Sequence, residues 1–169
     1  GLAYALACDR RFADKTTRMC AAMVRLGFAP DCGSTWLLPR VTSLSTALRM
    51  VETGDILNAE ESYKEGLIDV LVDEGKALEA AMEYARKLAK GPSVAVDLAR
   101  RFMHKALVST LDEMLDYEAV AATMSAHTED AREGTKAAGH VAVCICSFFM
   151  AEIRGSGPTS QPSRQPVMA

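Results

Sequence analysis

Histidine is scarce in this chain, at three of 169 residues, and the aromatics together make up only 6%. The five cysteines, Cys8, Cys20, Cys32, Cys144 and Cys146, are odd in number and form no C-x-x-C pair. Zinc sites draw on closely spaced Cys and His, and disulfide scaffolds on an even, patterned set, so no metal site and no disulfide framework is expected. The cysteines are read as buried free thiols of a reducing intracellular compartment. A basic excess is also lacking: 19 Lys and Arg stand against 22 Asp and Glu, a net charge of -3. The electrostatic footprint of general nucleic-acid binding is therefore missing. The longest apolar run, Val141 to Ala151, falls short of the roughly 20 residues that a membrane-spanning helix needs. The apolar opening Gly1 to Cys8 is short and has no basic residues ahead of it, so it does not read as a signal peptide.

What is present is alanine, 27 residues of it, in a chain that is 49% hydrophobic and 24% charged. That is the composition of one ordinary globular domain, or part of one, and it favours helix. Leu2 to Ala7 reads as a buried helix, Cys8 to Ala13 as a short strand, and Arg18 to Ala22 as an extended piece able to pair with it. In GFAPDCGSTWLLPR, from Gly27 to Arg40, Pro30-Asp31 marks a turn, Ser34 or Thr35 is expected to cap a short helix, and Pro39 to end it. Ser43 to Val51 and Ala59 to Glu65 read as short helices, and Gly66 to Val72 as a helix stop followed by a strand. Apolar residues then recur at spacings of three and four: Leu78 to Leu88, Val94 to Ala106 beyond Gly91-Pro92, and Thr110 to Met124, with a fourth helix starting near Thr128. The expected organisation is a mixed α/β part over 1–72, helices over 73–137, an apolar segment over 138–154 and a disordered Gly, Ser and Pro-rich tail over 155–169.

Several stretches in order, GLAYALACD, VRLGFAPDCGSTWLLPR, VETGDILNAEESYKEGLIDVLV, a Gly-Pro between helices and HTEDAREGTKA, resemble the crotonase superfamily of enoyl-CoA hydratases and isomerases. The resemblance runs from Gly1 to about Ala137. It implies an α/β fold, the second half of a ββα spiral followed by a C-terminal helical trimerisation region, and hence a homotrimer or dimer of trimers. It implies an acyl-CoA thioester as substrate, with no cofactor beyond the CoA of that substrate. In the family two backbone N–H groups form an oxyanion hole for the thioester carbonyl, and a helix corresponding to the one that opens at Gly1 points its N-terminus there. Both donors fall ahead of Gly1, so the chain by itself is expected to be inactive.

The family's hydratases place two glutamates across the double bond; the matching positions here hold Ala3 and Met23. Neither side chain exchanges a proton, which disfavours hydration. Asp31 stands where several double-bond isomerases of the family carry their acid/base carboxylate, and the segment around it is most similar to those isomerases and to the ring-opening isomerases of phenylacetyl-CoA breakdown. One carboxylate suffices for a 1,3-proton shift. For that role the resemblance asks for a raised pKa, with Phe28, Ala29, Trp36 and Leu37 as the neighbouring apolar candidates; the plainer reading is that Asp31 caps the following helix. Leu37 and Leu38, with Met50, are candidates for the acyl pocket, against a plain role in the core. Arg25 and Arg40 are candidates for CoA phosphates, against solvated or ion-paired roles. Cys32 has no His nearby in sequence to make it a nucleophile, and His104 and His127 read as surface or capping residues. Leu111, Met114 and Leu115 form a face that a neighbouring subunit could cover.

From Ala138 onward the sequence departs from the family's Phe-containing basic ending, as a frameshift or altered splice would make it do. The functional expectation is a double-bond isomerase working through a thioester enolate; the alternative is a non-catalytic crotonase-like subunit or interaction module. Mitochondrion, peroxisome and cytoplasm all remain open as compartments, and the final Val-Met-Ala is not a peroxisomal signal.

Overall fold

Short strands alternate with short helices in the first half of the chain, and longer helices follow. A computed structural model describes residues 1–138; the apolar segment and tail expected beyond them lie outside the described residues, except for Ala138. In order the elements are α1 (Leu2–Leu6), β1 (Phe12–Asp14), β2 (Arg18–Cys20), a 3₁₀ helix (Ala22–Leu26), α2 (Ser34–Val41), α3 (Leu44–Thr53), β3 (Ile56–Asn58), α4 (Ala59–Lys64) and β4 (Val70–Val72). Then come α5 (Ala77–Ala89), α6 (Ser93–Ala106), α7 (Leu111–Ala126) and α8 (Glu129–Ala138). The chain divides into two compact units, Gly1–Lys87 and Leu88 onward.

In the first unit β1 and β2 do not pair with each other, contrary to what the sequence suggests. β1 lies parallel to β4, with Phe12 opposite Val70, and β2 lies antiparallel to β3, with Met19 opposite Leu57. The turn after β1 accounts for this. Asp14 accepts hydrogen bonds from the Thr16 and Gly75 backbone N–H groups, both at 2.9 Å, which ties the turn to the loop after β4 instead of closing a hairpin. β3 is not expected from the sequence, because Ile56 to Asn58 is too short to show a period of two.

Leu6, Met19, Leu38, Met50, Leu57, Leu67 and Ile68 form the core of this unit, with Leu2, Leu37 and Val41 packed against it. Only Leu6 of α1 is buried, and Tyr4 is exposed, so α1 is a helix at the edge of the core and not a buried one. α2 also departs from expectation. Pro39 lies inside it, and the helix runs two residues further before Thr42 turns extended. The carbonyl that loses its N–H partner to Pro39 belongs to Thr35, which is exposed and open to water. α3 is capped by Ser43, whose hydroxyl accepts from the Thr46 N–H at 3.1 Å, and α4 by a reciprocal pair of bonds between Asn58 and Glu61. The Tyr84 ring of α5 meets Phe12 of β1 at 5.5 Å between centroids.

In the second unit α6 and α7 pack together. The Phe102 and Tyr117 rings lie 6.1 Å apart, and Lys105 sits over the Tyr117 ring. Thr110 and Glu113 cap α7 reciprocally, as the Thr-x-x-Glu spacing allows. Met114 and Leu115 are buried, whereas Leu111, Val120 and Met124 are exposed. The face left uncovered is therefore not the one expected from Leu111, Met114 and Leu115 together. No helix among the described residues is long and apolar enough to cross a membrane.

Candidate active site

A cleft of about 200 Å³ opens in the first unit where three pieces of chain meet. The first turn of α1 supplies Gly1, Leu2, Ala3 and Tyr4 to its wall; the end of β2 and the start of the 3₁₀ helix supply Cys20, Ala21, Ala22 and Met23; and the loop into α2 supplies Pro30, Asp31, Cys32 and Ser34. Gly1, Ala3, Met23 and Asp31, scattered over 31 positions of sequence, are thus lining residues of one cavity. The core does the gathering: Leu6 of α1, Met19 of β2 and Leu38 of α2 are all buried in the same cluster.

Asp31 is the one carboxylate among the described residues that line the cleft. It is exposed, and no side-chain or backbone donor among the described residues reaches its carboxylate. The capping role is not what the structure shows: the residue before α2 is Gly33, and α2 has no side-chain cap. Instead Asp31 uses its backbone carbonyl, which accepts from the Ser34 N–H at 2.9 Å and also from the Ser34 hydroxyl. Ser34 is therefore a donor here and not the capping acceptor expected of it. Between them Cys32 and Gly33 both take left-handed backbone conformations, φ 52° and 79°. This is the pattern of a type I′ turn, and for the non-glycine Cys32 it costs about 1–2 kcal/mol. The turn presents Asp31 at the cleft just ahead of the helix.

The other candidates fall elsewhere. Leu38 is 1% exposed, Leu37 packs against the core, and Met50 is fully buried; none of the three lines the cleft. Phe28, Ala29 and Trp36, expected as apolar neighbours of Asp31, are exposed, Leu37 is half-buried against the core, and none of the four lines the cleft. The apolar residues that share the cleft with Asp31 are Leu2 and Ala3 from α1, Ala22 and Met23 from the 3₁₀ helix, and the adjacent Pro30, with Ala21 just ahead of the 3₁₀ helix. Arg40 lies over the Trp36 ring at 3.8 Å and donates to the Trp36 carbonyl. Arg25 packs beside Gly54, where an added Cβ would meet its Cγ at 2.9 Å. His127 ends α7, with Nδ1 2.7 Å from the Thr123 carbonyl, and His104 is exposed on α6.

The thiols were expected to be buried. Cys8 and Cys32 are exposed and Cys20 half-buried, its Sγ donating to the Gly54 carbonyl at 3.0 Å. Cys20, Tyr4 and Ser34 are lining residues that sequence reasoning missed, since nothing in their spacing links them to Asp31. Among the described residues no group of three or more His, Cys, Asp or Glu side chains could hold a metal ion.

The model of the enoyl-CoA hydratase/isomerase family matches residues 1–139. The 1,2-epoxyphenylacetyl-CoA isomerase of Escherichia coli is 34% identical over 137 residues, which are 81% of this chain and 52% of that protein. Among solved structures, an enoyl-CoA hydratase from Bacillus anthracis superposes with a TM-score of 0.74 at 31% identity, over 78% of this chain and 51% of that one. An enoyl-CoA hydratase/isomerase from Cupriavidus metallidurans gives 0.73 at 29% identity, over 78% and 50%. The chain spans about half the length of these relatives. With a family model covering 1–139 and the α/β fold shared with solved members, the chain belongs to the enoyl-CoA hydratase/isomerase family, within the crotonase superfamily.

Proposed function

We propose that the full-length protein is a double-bond isomerase of acyl-CoA thioesters, with Asp31 as its acid/base and a thioester enolate as the intermediate. The observation that carries this reading is the composition of the cleft: one carboxylate among the described residues, Asp31, with Ala3 and Met23 lining the same cavity. Hydration needs a water to be oriented and its proton managed while a second proton reaches carbon. Ala3 and Met23 supply no group for that task, and a 1,3-shift does not need it. Asp31 takes a proton from one carbon, the charge passes to the thioester oxygen as the enolate, and the protonated carboxyl group, which exchanges with solvent, delivers a proton two carbons away. The bonds balance with no redox partner and no cofactor beyond the substrate's own CoA.

Stabilising the enolate oxygen is the task of backbone N–H donors. The first turn of α1, at Gly1, borders the cleft and leaves its leading N–H groups without helical partners, which suits that end to negative charge. The relative from Escherichia coli, named as a 1,2-epoxyphenylacetyl-CoA isomerase, supports isomerisation over hydration. The exposed Leu111, Val120 and Met124 support burial against further subunits, in keeping with a homotrimer or dimer of trimers.

The test is proton exchange into a β,γ-enoyl-CoA in deuterated water, followed by NMR. The expected result is deuterium at the α and γ carbons with migration of the double bond and no β-hydroxy product. A β-hydroxyacyl-CoA product sinks the isomerase reading; acyl-CoA binding with neither exchange nor product favours a non-catalytic subunit.

A further inference from the structure

We propose that Ser34 is a positioning residue for Asp31, holding the carboxylate in place by locking the turn that carries it. The proposal rests on the reading of Asp31 as acid/base and names what orients it. No donor among the described residues reaches the Asp31 carboxylate, so where it stands at the cleft is set by the backbone that carries it. That backbone runs into two consecutive left-handed residues, one of them a cysteine, which an unconstrained chain would leave for a more ordinary conformation. The bonds that close the turn on Asp31 come from Ser34, whose N–H and hydroxyl converge on the Asp31 carbonyl, while the Gly33 carbonyl accepts from the Trp36 and Leu37 N–H groups of α2.

Ser34 is suited to the task by its burial. It is 7% exposed, so water competes poorly for its hydroxyl, and it is the first residue of α2, anchored through Leu38 to the core. An alanine there keeps the N–H bond and loses the hydroxyl one. The turn then closes on the Asp31 carbonyl through a single bond in place of two, and the carboxylate wanders from its place at the cleft. Small displacements of a reacting group are costly in rate even when substrate binding is intact.

The experiment uses full-length protein carrying Ser34→Ala, Ser34→Thr or Ser34→Ala combined with Cys32→Gly. Two quantities are read: kcat and KM for double-bond migration, and the ¹³C resonance of the Asp31 carboxyl carbon, assigned by its loss in Asp31→Asn. Ser34→Ala is expected to lower kcat at least about tenfold with KM changed less than about twofold, and to move or broaden the Asp31 signal. Ser34→Thr keeps the hydroxyl and is expected to recover most of the rate. Replacing Cys32 by Gly removes the left-handed strain, so the double variant is expected to fold and regain both signal and rate relative to Ser34→Ala. Wild-type kcat with an unmoved Asp31 signal in Ser34→Ala overturns the proposal. So does a Thr variant as impaired as Ala, or a double variant that regains nothing. Full activity in Asp31→Asn defeats the acid/base reading instead; the Asp31 signal in Ser34→Ala then still decides whether Ser34 holds that side chain.

Discussion

Asp69 grips Arg11 twice, accepting from its backbone N–H and pairing with its guanidinium, both at 2.8 Å. Arg11 returns the hold: its carbonyl accepts from the Asp69 N–H, and its Nε donates to the Leu67 carbonyl. The two side chains are only 10% and 17% exposed. Fifty-eight residues apart in sequence, they fasten the chain entering β1 to the chain entering β4 and set the register of that parallel pair.

Removing one side of this grip leaves the other buried and short of partners. Asp69→Ala is expected to destabilise the protein by about 2–4 kcal/mol, read from denaturant unfolding of the full-length protein. A loss under about 0.5 kcal/mol, as is usual for an exposed ion pair, would show that the grip is ornamental.

Asp31 predicts the opposite balance. Being exposed, with no hydrogen bond to its carboxylate among the described residues, it is dispensable to the fold, so Asp31→Asn should leave the melting temperature within a degree or so of wild type. Double-bond migration should fall by about 10²–10⁴-fold, the usual contribution of a general acid/base. Activity unchanged in that variant would remove Asp31 from the chemistry.

Ser62 is fully buried, and its hydroxyl has no hydrogen-bond partner among the described residues. Its backbone carbonyl is well used, accepting from both Leu67 and Ile68 N–H groups, and that is independent of the side chain. Ser62→Ala should therefore stabilise the protein by about 1 kcal/mol, because it deletes an uncompensated desolvation cost. A lower stability would mean that the hydroxyl is satisfied in solution.

Asp14 makes a prediction about pH. The Thr16 hydroxyl first, then the Gly75 and Thr16 backbone N–H groups, hold its carboxyl below the ordinary range. The folded state thus favours the ionised form, and its contribution is present above the unfolded pKa of about 4. It is lost as pH falls through the lowered folded value. Asp14→Asn should consequently melt below wild type at pH 7, and the gap should narrow as the pH is taken from about 4 to 2. A gap that is constant across that range would assign the difference to something other than ionisation.

Gly66 and Gly75 separate strain from crowding. Both are left-handed, at φ 78° and 75°, but a Cβ on Gly66 would lie 3.1 Å from the Val41 carbonyl oxygen and one on Gly75 would meet nothing within 4 Å. Gly75→Ala should cost about 1 kcal/mol and Gly66→Ala clearly more, compared by thermal unfolding. Equal costs would show that Val41 yields.

The longer helices are legible in the amino-acid order alone. Those with three-and-four spacing, α5, α6 and α7, lie close to where their apolar residues place them, and Thr110 caps α7 as its spacing with Glu113 allows. The strands are less legible. Three residues each, they carry no usable period, and their partners are fixed by contacts such as Arg11 with Asp69 that no local pattern records. Pro39 misleads for a related reason: as a local signal it stops a helix, but Leu38 and Val41 on either side of it are held by the core.

Side-chain identity and order, which need no coordinates, establish the family and the residue types available for chemistry: one carboxylate at 31, and Ala and Met at 3 and 23. Packing in three dimensions decides which of them share a cavity, that Leu38 lies in the core with Leu37 packed against it, and that Ser34 grips the Asp31 backbone in place of capping the helix. Such relations depend on long-range contacts and on a left-handed turn, where two or three bonds outweigh the local preference of the residues that make it.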